Sequence, residues 1–153
     1  MVETMYHIDN RPSCVRFPRG SGYGEEILND LYGIPQGKSL YVEGSLPARG
    51  SALPIGKGRI MKKGKLICFI MNNLLYHVYF KGESGRRHKV CILSIGTRLI
   101  ESLHAANSIQ HDHPDVSVTV VDMRFLKPLD EKLVKEMAVS HDVMITIEEG
   151  FEL

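Results

Sequence analysis

The stretch RPSCVRFPRGSG, residues 11–22, sets Arg16 and Arg19 three apart around Phe17 and Pro18. Proline fixes its own φ and pushes Phe17 toward an extended conformation, so this corner is rigid and is no helix interior. A guanidinium matches phosphate oxygens two at a time, which gives the pair the makings of a phosphate clamp. Ordinary surface charges on a turn account for the same residues, and the physics leaves both readings open.

Other residues could also do chemistry, each against a plainer account. Asp122 and Arg124, in VVDMRFLKPLD, stand two apart at the end of an apolar run and so share one side; a local ion pair that fixes the loop explains them most simply. Gly96 lies between an apolar run and an amphipathic one, where a phosphate could sit on a helix N-terminus, but a tight βα turn uses the same glycine. His111 and His113 flank a loop with no third ligand at a telling distance, and read as solvated turn residues rather than a metal pair. Glu148 and Glu149 close a strand, where open α/β sheets put their sites. Neighbours on a strand point opposite ways, which argues against an acid/base pair.

The elements that must position these residues are clearest in the last third of the chain. KVCILSI (89–95) is a continuous apolar, β-branched run, as a strand covered on both faces requires. Gly96 and Thr97 make a turn, and RLIESLHAANSIQ (98–110) then spaces Leu99, Leu103 and Ala106 along one helical face. HDHPD is a loop and VSVTVVDM (116–123) a second strand. Asp130 caps a helix over 131–141, with Leu133, Val134, Met137 and Ala138 turned inward and Glu131 paired with Lys135. DVMITIEE (142–149) is a third strand. The order β-α-β-α-β with short loops predicts an α/β fold with a parallel sheet and right-handed crossovers. Both helices lie on one face if the strands progress in one direction, and on opposite faces if the order reverses after the first.

Upstream the pattern is weaker. Residues 1–24 end in the glycine-rich RGSGYG, and 25–60 carry so many glycines and prolines that they read as a surface connection. Residues 61–80 are expected to be poorly integrated, with any strand they form outside the 89–149 core; their apolar run LICFIMNNLLYHVYF (66–80) shows neither clean alternation nor a helical stripe. At 15 residues, interrupted by Asn72, Asn73 and His77, it is shorter than the roughly 20 that a membrane span needs.

Composition narrows the class. The 153 residues carry 19 basic and 18 acidic side chains, net +1, which gives no support to a nucleic-acid partner. Apolar content of 43% and charged content of 24% are those of a soluble globular protein. Cys14, Cys68 and Cys91 are too few and too scattered for a disulfide framework or a zinc site. MVETMYHIDN has no apolar core of a signal peptide, so no targeting segment is expected.

DNRPSCVRFPRGSG, LPIGKGRI, KVCILSIGTRL and VTVVDMRFLKPLDEKLVKEMAVSHDVMITIEEG, in this order, resemble the carboxyl-terminal part of the 1-deoxy-D-xylulose-5-phosphate synthase family, within the transketolase-like, thiamine-diphosphate-dependent enzymes. The resemblance covers residues 7–24, 53–60 and 85–150. SIGTRL alone is shared with 2-oxo acid dehydrogenase β subunits; RFPRG together with DMRFLKPLDE is far more specific. A fragment of a transketolase or of such a β subunit, and a non-catalytic carboxyl-terminal module that binds partners, are the alternative readings.

The resemblance implies an enzyme that joins pyruvate to glyceraldehyde 3-phosphate with loss of carbon dioxide, feeding isoprenoid, thiamine and pyridoxal synthesis. It implies thiamine diphosphate and Mg²⁺ as cofactors, a homodimer, and a cytoplasmic location in bacteria or a plastid one in eukaryotes. Arg19 matches the arginine that binds the acceptor's phosphate; no role carries over to Arg16. Residues 1–24 correspond to the tail of the pyrimidine-binding domain, 25–88 to a linker with an unmatched insert at 61–80 that reads like translated intron, and 89–153 to the transketolase carboxyl-terminal domain. Cofactor and metal ligands lie upstream in the family, so none is expected here and the chain alone is expected to be inactive. The family also continues past Glu149-Gly150, which leads us to expect an open sheet edge around Val143, Ile145 and Ile147.

Overall fold

The computed structural model describes residues 1–16, 24, 27, 51–64, 69–71, 74–76 and 88–149, in two units, Met1–Pro54 and Ile55–Leu153. In the first unit a short helix, α1 (Val2–Tyr6), is followed by His7, whose Nε2 lies 3.0 Å from Glu3 Oε1 one turn back. Thr4 is buried, and its hydroxyl accepts the Leu53 N–H at 2.8 Å.

The second unit is built on a four-stranded sheet. Its strands are β1 (Arg59–Lys62), β4 (His88–Ser94), β5 (Val116–Asp122) and β6 (Val143–Ile147), in the order β1-β5-β4-β6. β4, β5 and β6 are parallel, and β1 pairs antiparallel with β5. A 3₁₀ turn (Gly96–Arg98) leads from β4 into α2 (Leu99–Asp112), and α3 (Glu131–Ser140) joins β5 to β6. The expected β-α-β-α-β unit is present, with every boundary within two residues of the one the sequence predicts.

Because β5 and β6 flank β4 on opposite sides, right-handed crossovers must put the two helices on opposite faces. The core confirms it through strand alternation. Cys91, Leu93, Val121 and Met123 pack with Met137, Leu133 and Val134 of α3. Ile92, Val118 and Val120 pack with Ala106, Leu99, Leu103 and Ile109 of α2. Burial on both faces is why the strands read as unbroken apolar runs.

Three expectations need correction. Residues 59–62, assigned to a surface connection and to an insert, form an edge strand of this sheet; Arg59 pairs with Asp122 and Ile60 with Val121. Gly64 adds a hydrogen bond from its N–H to Thr119 Oγ1 at 3.2 Å, so the start of the 61–80 segment is integrated into the core. Ala138 is exposed, since the face α3 presents to the sheet is narrow and ends at Met137. The rest of the apolar run contributes β2 (Phe69–Met71) and β3 (Leu74–Tyr76), an antiparallel pair in a separate sheet, outside the core as expected.

Asp130 caps α3 as its position predicts, accepting the Leu133 N–H at 3.2 Å, and Lys135 Nζ lies 3.1 Å from Glu131 Oε2. β6 has β4 on one side and, among the described residues, no strand on the other. Val143, Met144 and Ile145 are 50%, 38% and 41% exposed, whereas Ile147, expected to be uncovered with them, is only partly exposed because it packs against the core on the α2 face.

Candidate functional site

Two neighbouring strands of the parallel sheet, β4 and β5, send their chains to opposite faces, β4 to α2 and β5 to α3. Between their carboxyl ends lies the switch point at which open α/β sheets bind ligands. The main chains stay joined there, the Met123 N–H donating to the Ser94 carbonyl at 2.9 Å.

Asp122 ends β5 with a carboxylate that faces two guanidiniums. Arg124 Nε donates to its Oδ2 at 3.4 Å, and Arg59 of β1 approaches the same oxygen at 3.7 Å. Arg124 adopts φ = 58°, a left-handed backbone that is uncommon for a residue with a side chain. The local Asp122–Arg124 pair was the simpler sequence reading; Arg59 joins it only because antiparallel pairing sets it directly opposite Asp122.

Across β4, Thr97 Oγ1 donates to Glu149 Oε2 at 2.5 Å and Arg98 lies 3.7 Å from Glu149 Oε1. Glu149 thus fastens the loop after β6 to the turn after β4, whereas Glu148 is exposed. Gly96 sits in that turn at φ = +74°, the ordinary demand of a tight βα connection. His111 is exposed and pairs with Asp112 at 3.0 Å, and His113 is exposed beside it. Among the described residues no three of His, Cys, Asp and Glu converge on a point where a metal could bind.

Arg16 is exposed, and Arg19 lies outside the described residues together with Phe17 and Pro18. Cys91 is fully buried on the α3 face, and burial pushes its thiol up to about 11. Cys14 is exposed. Sequence reading missed Arg59, Thr97 and the His141–Thr119 contact (2.8 Å), because each depends on a partner far along the chain.

Residues 83–153 match the family model "Transketolase, C-terminal domain", and the mixed α/β fold with its four-stranded sheet is consistent with such a domain. Over 144 residues, 94% of its length, the chain is 38% identical to the 1-deoxy-D-xylulose-5-phosphate synthase of Vibrio atlanticus (strain LGP32). The chain is thus similar in sequence to that synthase, and it spans 16% of the length of that enzyme. A solved structure described as a split gene transketolase, inactive β4 tetramer, aligns with 73% of this chain and 27% of its own at 22% identity and a TM-score of 0.46.

The diphosphate of thiamine diphosphate is held through a Mg²⁺ that takes several oxygen ligands. The described residues assemble no such donor set, so they do not fit that group. No helix among them is long and apolar enough to cross a membrane.

Proposed function

We propose that this chain supplies the carboxyl-terminal domain and the acceptor-phosphate arginine of a 1-deoxy-D-xylulose-5-phosphate synthase. The complete enzyme, a homodimer using thiamine diphosphate and Mg²⁺, condenses pyruvate with glyceraldehyde 3-phosphate as carbon dioxide leaves. The observation that carries this reading is the 38% identity running through 94% of the chain rather than through the domain alone. In this reading Arg19 grips the acceptor's phosphate, the sheet of residues 59–147 is a structural domain, and the 153 residues by themselves do not turn over substrate.

The test is a chimera in which this chain replaces the matched segment of the Vibrio atlanticus enzyme. Synthase activity is expected, and Arg19→Ala within the chimera is expected to raise KM for glyceraldehyde 3-phosphate roughly 10- to 150-fold, the cost of one lost charge-assisted contact, while KM for pyruvate barely moves. Equal effects on both substrates would make Arg19 a structural corner. The isolated chain, titrated calorimetrically with thiamine diphosphate and Mg²⁺, is expected to show no saturable binding; micromolar binding would overturn its inactivity.

A further inference from the structure

The carboxyl end of the sheet holds more positive charge and more unused donors than its own contacts consume. Register sets Arg59, Asp122 and Ser94 side by side on three adjacent strands. Ser94 follows Val90 and Ile92 in alternation, so the row lies on the face covered by α2, at the end where the chain enters that helix.

Two guanidiniums address the single oxygen Oδ2 of Asp122, at 3.4 and 3.7 Å. Charge-assisted contacts of this kind close to about 2.7–2.9 Å at their strongest, so both contacts to Asp122 are long. Among the described residues Arg59 Nε and Ser94 Oγ are buried without a hydrogen-bond partner, and Ser94 is wholly inaccessible. Buried polar atoms are rarely left without a partner, and the exceptions mark ligand, water or catalytic positions. Arg124 adds a second kind of outlier, since left-handed residues with side chains cluster at ligand clamps. Both kinds of outlier meet at the switch point between β4 and β5, where ligands of open α/β sheets bind.

We propose that Arg59 and Arg124 form a binding site for a small carboxylate at the carboxyl end of β5. Two arginines and one aspartate leave a net charge of +1, which one monoanion neutralises. A planar carboxylate matches the guanidinium fork. A phosphate dianion offers the same oxygens but would carry the cluster past neutrality to a net −1, whereas a monoanion brings it to zero, so carboxylate is the favoured chemistry. Arg59 remains 39% exposed along its side chain, which provides the approach, while Arg124 at 17% forms the inner wall. The proposal uses no residue of the Arg16–Arg19 corner and does not depend on the assignment of the synthase reaction.

The experiment is a titration of the 153-residue chain with sodium acetate, replacing sodium chloride so that ionic strength stays fixed, followed by ¹H–¹⁵N spectra that resolve the arginine Nε–H groups. A saturable shift at Arg59 and Arg124 is expected, with phosphate binding more weakly than acetate. Arg59→Gln, or Arg124→Lys, which keeps charge but loses the fork, is expected to weaken acetate binding roughly tenfold with the β4 and β5 amide signals in place. Shifts that chloride reproduces, tighter binding of phosphate than of acetate, or unchanged affinity in a folded variant would each overturn the proposal. The parent titration decides the question even if a variant fails to fold.

Discussion

The main-chain N–H of Gly58 donates to Oδ2 of Asp130, 72 residues later, at 3.2 Å, while Oδ1 of the same carboxylate caps α3 through Leu133. One buried side chain thereby fixes both the approach to β1 and the start of a helix. Lys57 Nζ lies 3.6 Å from it on the solvent side.

This arrangement makes stability depend on pH in a defined direction. Burial alone would raise the Asp130 carboxyl, but the N–H groups of Leu133 and Gly58 and the charge of Lys57 outweigh it and hold it below the ordinary 3.8. A depressed acid stabilises the fold fully above its unfolded value and loses that contribution as pH falls through the folded one. Urea midpoints of the chain are therefore expected to decline below pH 4, and Asp130→Asn to flatten the decline. An equally steep acid limb in Asp130→Asn would assign it to other carboxylates.

Removing the carboxyl altogether costs more than the cap. Asp130→Ala leaves the N–H groups of Leu133 and Gly58 without their acceptor, and is expected to destabilise by about 1–3 kcal/mol, against about 1 kcal/mol for an ordinary exposed cap. Denaturant unfolding of both variants measures the difference.

Gly96 tests strain without collision. Its φ of +74° disfavours any side chain, yet a Cβ built there meets nothing within 4 Å. Gly96→Ala should cost about 1–2 kcal/mol and Gly96→Asn less, since asparagine tolerates this region. Equal losses in both would indicate crowding instead.

The two cysteines that the structure describes differ in reactivity. Cys91 is buried with its thiol raised to about 11, so at pH 7.5 neither access nor ionisation favours it. Peptide mapping after brief alkylation is expected to find Cys14 modified and Cys91 intact until denaturant is added. Early labelling of Cys91 would mean that the β4 core opens readily.

The two edges of the main sheet differ in protection. β1 carries Arg59 and Lys62 and an irregular register between Ile60 and Lys62, devices that discourage further pairing. β6 reads VMITI, without charge, and its first four residues are exposed. The chain is expected to self-associate through β6, and Thr146→Lys to shift sedimentation toward monomer. A monomer at high concentration in the parent would remove this edge as the cause.

How far the fold was legible follows from the range of the forces involved. Strands β4, β5 and β6 announce themselves as unbroken apolar runs, helices α2 and α3 through the period of their apolar residues, and Asp130 through its place before such a period. β1 did not, because Arg-Ile-Met-Lys is too short to show a period and owes its strand to the neighbouring edge of β5. Ala138 was assigned inward on spacing that a helix of fewer than three turns cannot sharpen, and the packed face stops at Met137.

The candidate sites divide the same way. Arg16, Arg19, Asp122 and Arg124 drew notice as charged residues beside fixed backbone, and the family resemblance was carried by motifs read in order along the chain. By itself the sequence determined the elements, the cap of α3 and the family resemblance, all of which are written in neighbours a few residues apart. Only the tertiary structure decided that β4 lies between β5 and β6, that the helices cover opposite faces, and that Arg59 and Ser94 stand on either side of Asp122. Those relationships join residues distant in sequence through strand order and register, which the cooperative burial of both faces of the sheet selects and no local pattern encodes.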